Sequence, residues 1–392
     1  MRAASVAACS ILAVVAATAT SARARGQDTP VKGAAPLVVS YVPPAGDPVG
    51  DRIRGRAWTY DSAVTAAGRA ARGDLDGAGA LLDVFQDLQR PDGALESSYD
   101  IASGAGAGPL RAGNQAWAGL AALEWRTRSC SGRHDRLIAR LADWLLAHRV
   151  GDRSGGGFGL VVGGPDVTWV STEHNLEARA FFAGLAATLD GRAADPATGR
   201  ACQPGLDGLS ASAARALSAR SAEAVARIDR AIDAELFVRD GAGRAHWRQG
   251  LDDDARPLDA QALGILWLLG RDRRADAVAV ERYVDATMAV AGRTVDRPGG
   301  EGQTFDGYRP FADAWGPDVL WMEGTLMMRL AKARLGRDVS GLDAHVSRWA
   351  ALTAPNPPLQ VDRAAGEDYH AWPAAAPAAW LALSHSRFAL LM

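Results

Sequence analysis

Four carboxylates stand where a paired proton transfer could be run: Glu173, Glu323, Asp61 and Asp259. Such a pair needs one carboxyl that holds its proton and one that has lost it, a difference set by the surroundings of each. Glu323 lies among Val319, Leu320, Trp321, Met322, Leu326 and Met327, where an ionisable group is costly unless a partner or a cavity receives it. The plainer alternative is an ion pair with one of the many arginines. Glu173 belongs to Ser171-Thr172-Glu173-His174-Asn175 and follows Trp169, an apolar wall of the kind that raises a carboxyl pKa. Its alternative is structural, with Ser171 or Thr172 capping a helix and Glu173 complementing the helix dipole. Asp61, Asp259 and Asp100 fall at helix starts or in the loops before them, where capping is the commonest use of Asp.

These residues need helices to position them. Apolar residues recur at spacings of three and four over 60–71, 75–88, 115–125, 134–146, 172–189, 211–237, 258–269, 275–290, 318–335, 342–352 and 370–383. Short extended segments are expected only in connections, at 157–162 with 168–170 and at 245–250. One kind of helix is apolar along most of its length and opens on a polar and aromatic cluster; the other is amphipathic with a charged face. The first kind should be buried and the second should cover it. The polar openings fall near residues 60, 112, 172, 258, 318 and 369, a spacing of roughly 50 to 60 with one enlarged gap, as in a repeated helical hairpin. Six inner helices wrapped by outer ones form an (α/α)6 toroid whose inner N-termini open into one funnel. Only about ten residues follow Leu383, too few for a full sixth outer helix, so the ring is either closed by the N-terminal leader or left open there.

The openings Tyr60-Asp61, Ser171 to Asn175, Leu258-Asp259-Ala260-Gln261 and Trp321-Met322-Glu323-Gly324 resemble those of the six-hairpin glycosidase superfamily, over about residues 58–390. More narrowly, they are similar to a set of exported bacterial proteins carrying these motifs in this order. The resemblance implies carbohydrate processing, often by inverting hydrolysis with two carboxylates, without naming the sugar; the fold also hosts lyases, epimerases and isoprenoid enzymes. The Asp-x-Asp-Asp of terpene cyclases is absent, the local string being Leu251-Asp252-Asp253-Asp254. Inverting hydrolysis asks for carboxyls roughly 6.5–9.5 Å apart. Glu173, Glu323, Asp61 and Asp259 are the candidates for that pair.

Sugar faces are apolar enough to stack on aromatic rings, and the chain has twelve tryptophans. Trp58, Trp117, Trp169, Trp321 and Trp372 belong to the openings or lead into them and are candidate contacts, with Tyr60, Asp100, Asn114, His174, Asn175, Gln261 and His370 as polar companions. Trp125, Trp144, Trp267, Trp349 and Trp380 fall inside helices, where packing is the expected role. A uronate epimerase or a lyase, with His174, His370 or Tyr60 abstracting a proton, is one alternative function; a noncatalytic carbohydrate-binding or envelope protein is another. No His-x-x-x-His or Cys pair speaks for a metal, and no phosphate loop or dinucleotide motif for a cofactor, so neither is expected.

Composition sets the frame. With 392 residues, 48% apolar, 22% charged and a net charge of −2, the chain is globular and an improbable partner for nucleic acid. Arg2, the apolar run from Ala3 to Ala19 and Ala22-Arg23-Ala24 read as a signal peptide over residues 1–26, followed by an extended leader at 27–57 and a catalytic domain at 58–392. A secreted, periplasmic or cell-envelope location follows as an expectation, as does a monomer without a membrane span after cleavage. Cys130 and Cys202 then remain, either as one disulfide or as two free thiols.

Overall fold

A computed structural model describes residues 33–34, 36–151, 156–240, 243–295, 301–312, 316–366, 368–386, 388 and 391; the signal segment lies outside them. Among these residues are twelve α-helices: α1 (Pro48–Ile53), α2 (Thr59–Ala71), α3 (Leu75–Leu88), α4 (Ala112–Ser129), α5 (Asp135–Ala147), α6 (Thr172–Leu189), α7 (Ala211–Ala231), α8 (Leu258–Leu269), α9 (Arg274–Thr287), α10 (Met322–Arg334), α11 (Ser340–Ala351) and α12 (Ala375–Ser384). The even-numbered helices from α2 to α12 pack side by side in a closed ring, α12 against α2, and α3, α5, α7, α9 and α11 lie outside it. This is the (α/α)6 toroid. The ring is not left open: α12 meets α2 directly, although no sixth outer helix follows α12 among the described residues.

Burial follows the two helix kinds. α8 is buried along nearly all of its length, whereas α7 exposes one face of charged residues and buries Leu217, Ala224 and Ile228. The strands sit in connections: β1 (Arg56–Trp58), β2 (Ser98–Asp100) and β3 (Gly106–Ala107) form one antiparallel sheet, β4 (Phe237–Arg239) pairs with β5 (Ala245–Trp247), and β6 (Ala289–Thr294) with β7 (Thr304–Tyr308). Extended structure at 245–250 is thus found as β5, but residues 157–162 form a turn with an isolated Arg149–Val161 bridge. The helix expected over 275–290 stops at Thr287, because the chain turns into β6. That expected from 318 starts at Met322, since 318–321 is extended and Leu320 is held by the Asp362 carboxylate. Likewise 370–374 is not helical: Pro373 disfavours helical backbone at Trp372, and α12 begins at Ala375.

A cyclic set of hydrogen bonds ties the openings together. The first backbone N–H of each inner helix has no partner within its own helix. Here each donates to a carbonyl in the connection that leads into the next inner helix: Thr59 to Ser97, Ala112 to Gly163, Thr172 to Gln249, Leu258 to Pro310 and Met322 to Gln360. Ala375 completes the circle by donating to Ser40 at 2.8 Å. The expected leader is therefore part of the domain, standing in the place of a sixth connection and contributing α1 and β1.

The fourth residue of five inner helices clamps the connection before its own helix. Gln115 receives the Leu95 N–H and donates to the Leu95 carbonyl; Asn175 does the same to Val161 and Gln261 to Trp247. Thr325 Oγ1 receives the Tyr308 N–H and Ser62 Oγ that of Val38. Cys130 and Cys202 are bonded, fastening the end of α4 to the connection after α6.

Two outcomes are expected. Asn175→Ala leaves the buried Val161 N–H and carbonyl without their partners and should cost about 2–4 kcal/mol in denaturant unfolding, since each buried polar group left unpaired costs about 1–3 kcal/mol; an unchanged midpoint would remove the clamp from the account. Cys130→Ser with Cys202→Ser should lower the melting temperature, because the bridge closes a 72-residue separation that the unfolded chain would otherwise explore.

Candidate active site

The inner-helix openings enclose a cavity of about 340 Å³. Its lining obeys a positional rule. The second residue of five inner helices faces it: Tyr60, Gly113, Glu173, Asp259 and Glu323. Two residues on, the helix has turned by about 200°, so the fourth residue faces away, toward the connection that it clamps. Asn114 and His174, at third positions, also line the cavity, as do Trp58 and Trp321 just before their helices.

Below lies an aromatic floor. The Trp380 indole N–H donates to the Tyr60 hydroxyl at 2.9 Å, and that hydroxyl donates to Glu323 Oε1 at 2.5 Å. Beside them the Trp117 N–H donates to Glu177 Oε1 at 2.6 Å, with Trp117 edge-on to both Tyr60 and Trp380. Burial, with Glu323 close by, pushes the Tyr60 phenol well above its ordinary value, so it remains a donor. Burial pushes the Glu323 carboxyl up to about 8, against the Tyr60 hydrogen bond that favours its ionised form; Asp61 and Asp259 add to the rise. Burial also lifts Asp61 to about 7 and raises Glu177 and Asp259, the last although its Oδ1 accepts the Ala260 N–H. Glu173 is half-buried on the wall. Ser171 caps the helix by receiving the His174 N–H, as the structural alternative expects, and Glu173 stands in the first turn while also lining the cavity. Desolvation drops His174 to about 3, leaving a neutral imidazole.

Several candidates from the sequence are placed elsewhere. Asp61 is enclosed behind the cavity wall, hydrogen-bonded to Ser40, and acts on the site through its field on Glu323. Asn175 and Gln261 spend their amides on the clamps. Trp117 is fully buried in the floor. Asp100 caps an exposed turn through the Ser103 N–H and hydroxyl. Trp169 lies under the Arg111 guanidinium and against His174, outside the main cavity. His370 stacks on Trp372 at 3.8 Å, and Trp372 packs edge-on to Tyr41 of the leader, because both precede α12 rather than open it.

Sequence reasoning missed Glu177, one helical turn after Glu173 and hence on the same face, a signal present in the string. It also missed Arg52, Arg56 and Arg111, and Gln360, Asp368 and Tyr369 from the last connection. Among the described residues, no three His, Cys, Asp or Glu side chains gather as metal ligands, and no helix is long and apolar enough to cross a membrane.

No known family's sequence profile matches the chain, and no curated protein matches it in sequence. Solved structures do. A glycosidase in complex with glucose superposes with a TM-score of 0.59 at 17% identity, over 87% of this chain and 90% of that one. A bacterial glucoamylase complexed with acarbose gives 0.57 at 13%, over 86% of this chain and 50% of the other. A sugar epimerase from a ruminal bacterium gives 0.52 at 10%, over 84% and 88%.

The buried carboxyls make stability depend on pH with a defined sign. Glu323 and Asp61 hold their protons more tightly folded than unfolded, so from about pH 4 to about 8 these two groups make stability fall as pH rises. Asp100, Asp190 and Asp318, which are lowered, titrate below this window; His134, His174 and His246, lowered by desolvation, bind fewer protons folded than unfolded below about pH 6.5 and oppose the fall there. The melting temperature should fall between about pH 6.5 and about pH 8, above the range in which the histidines oppose it, and Glu323→Gln or Asp61→Asn should flatten the slope; a slope that neither substitution changes would contradict the assignment. The arrangement of helices and ring gives this chain an (α/α)6 toroid fold, shared with the glycosidase and the glucoamylase.

Proposed function

We propose that this chain is a carbohydrate-active enzyme, exported from the cell, that hydrolyses the glycosidic bonds of an oligosaccharide or polysaccharide as a monomer. The observation that carries the reading is Glu323: a fully buried carboxyl facing a cavity, anchored by the Tyr60 hydroxyl and facing the same space as Glu173. One of the two glutamates protonates the glycosidic oxygen as its bond to the anomeric carbon breaks. The other takes a proton from the water whose oxygen attacks that carbon. Trp58 and Trp321 supply apolar faces for the sugar rings. The glycosidase neighbours support the reading further, since they were solved both as wild type and as variants replacing a glutamate by alanine or a tyrosine by phenylalanine, the residue types paired here. The bonded cysteines accord with an oxidising compartment.

An epimerase or lyase reading has the sugar epimerase neighbour and the neutral His174 in its favour. Against it, Tyr60 is engaged by Glu323 and Trp380, and His370 stacks on Trp372 and is not part of the cavity lining. A noncatalytic role leaves the costly gathering of buried carboxyls without a purpose.

Purified protein screened against varied polysaccharides and oligosaccharides for reducing-end release, with absorbance of a new double bond followed in parallel, separates hydrolase from lyase. On the substrate found, Glu173→Gln and Glu323→Gln should each lower turnover by at least about a hundredfold with the melting temperature nearly kept, because positioned proton transfer contributes about 10²–10⁴. Azide should restore turnover to the variant that lost its base. Normal turnover in either variant would withdraw that glutamate from the pair.

A further inference from the structure

α4 meets the positional rule of the cavity with a residue that has no side chain. Where α2, α6, α8 and α10 present Tyr60, Glu173, Asp259 and Glu323, α4 presents Gly113. The space is not waste. A Cβ placed on Gly113 would lie 2.5 Å from His174 Cδ2 and 2.8 Å from both His174 Nε2 and Glu177 Oε2. Real Cβ contacts do not come that close, so the side chains of α6 reach into the notch that the missing Cβ leaves. Both residues are more than nine-tenths buried and line the cavity. Glu177 Oε2 and His174 Nδ1 have no hydrogen-bond partner among the described residues, while Glu177 Oε1 is held by Trp117. Buried polar atoms left unpaired in this way are costly, and on side chains that line a binding cavity they point to a ligand that satisfies them.

We propose that Gly113, Glu177 and His174 form a hydroxyl-reading subsite that takes a neutral sugar ring at the inner end of the cavity. The inference rests on the carbohydrate reading above and adds the class of sugar. A ring hydroxyl both donates and accepts, which suits a neutral imidazole and a carboxyl, each able to do either. The burial that keeps the proton on Glu177 would equally penalise an ionised sugar carboxylate placed beside it. Of the arginines lining the cavity, Arg111 has its guanidinium over the Trp169 ring and Arg56 donates to Ser98. The glycine is the specificity device: any side chain there would fill the notch and displace the groups that read the hydroxyl.

Calorimetric titration with glucose, galactose and mannose, and with the uronate of each, tests the subsite without turnover. The wild type should bind one neutral hexose at least tenfold more tightly than its uronate. Gly113→Ala should weaken that hexose at least tenfold. Since the added methyl group also presses on the packing of α4 against α6, Glu177→Gln is the second variant; it keeps the size and the Trp117 acceptor and should weaken the hexose tenfold with an unchanged melting temperature. A uronate bound more tightly than its parent hexose, no hexose bound at all, or both variants binding as the wild type does would overturn the proposal. Hexose binding lost in these variants while Glu173→Gln and Glu323→Gln retain turnover would instead leave the subsite standing and remove the proposed catalytic pair.

Discussion

The first N–H of a buried helix must find an acceptor outside its own helix, and in this toroid six such groups meet the need by binding the connection that leads into the next helix. Everything at the mouth of the ring depends on this. The connections are long and irregular, with only short strands of their own, yet each is fixed from one side by a backbone donor and, in five cases, from the other by the side chain at the fourth helical position. Two neighbouring helices therefore hold five of the six loops, and the residues just before and just after those helix starts are set with little freedom. Trp58, Trp321 and the second-position side chains inherit that rigidity.

The same geometry explains what could and could not be read from the string. Alternating apolar and amphipathic helices were legible, because burial on all sides leaves no polar stripe in α8 while covering from outside leaves one in α7. Glu323 was legible as a carboxyl stranded among apolar neighbours. The polar openings were not separable into ligand-facing and loop-facing residues, since Glu173 and Asn175 differ only by two steps of helical phase, and phase has meaning only once the first helical residue is known. At α10 and α12 the apolar pattern runs ahead of the helix, which displaced the expected start and made Trp372 and His370 look like openings. The β6–β7 hairpin stayed hidden because the apolar rhythm of α9 continues into its first strand.

Desolvation is the common cause behind the electrostatics of the cavity. Asp61, Glu177, Asp259 and Glu323 all have raised pKa values, each chiefly through burial, and the mutual fields of the carboxyls add to the rise at Glu177 and Glu323. The aromatic floor works against this at Glu323, through the Tyr60 hydroxyl and the Trp380 indole, and at Glu177, through the Trp117 N–H. Neutral donors of this kind orient a carboxyl without adding a counter-charge, so they fix its position while leaving its proton exchangeable.

The bond from Tyr60 to Glu323 spans 263 residues of sequence and that from Trp380 to Tyr60 spans 320. Both cross the seam where the last inner helix meets the first, and the leader's Ser40 sews the same seam. Contacts of such high order form late, after the local hairpins have folded, because the closure entropy of the whole chain must be met before they reward it. A partly wound ring could carry five sound hairpins and still lack the relay that anchors Glu323. Opening of the ring along this line would dismantle that relay before the hairpins themselves come apart.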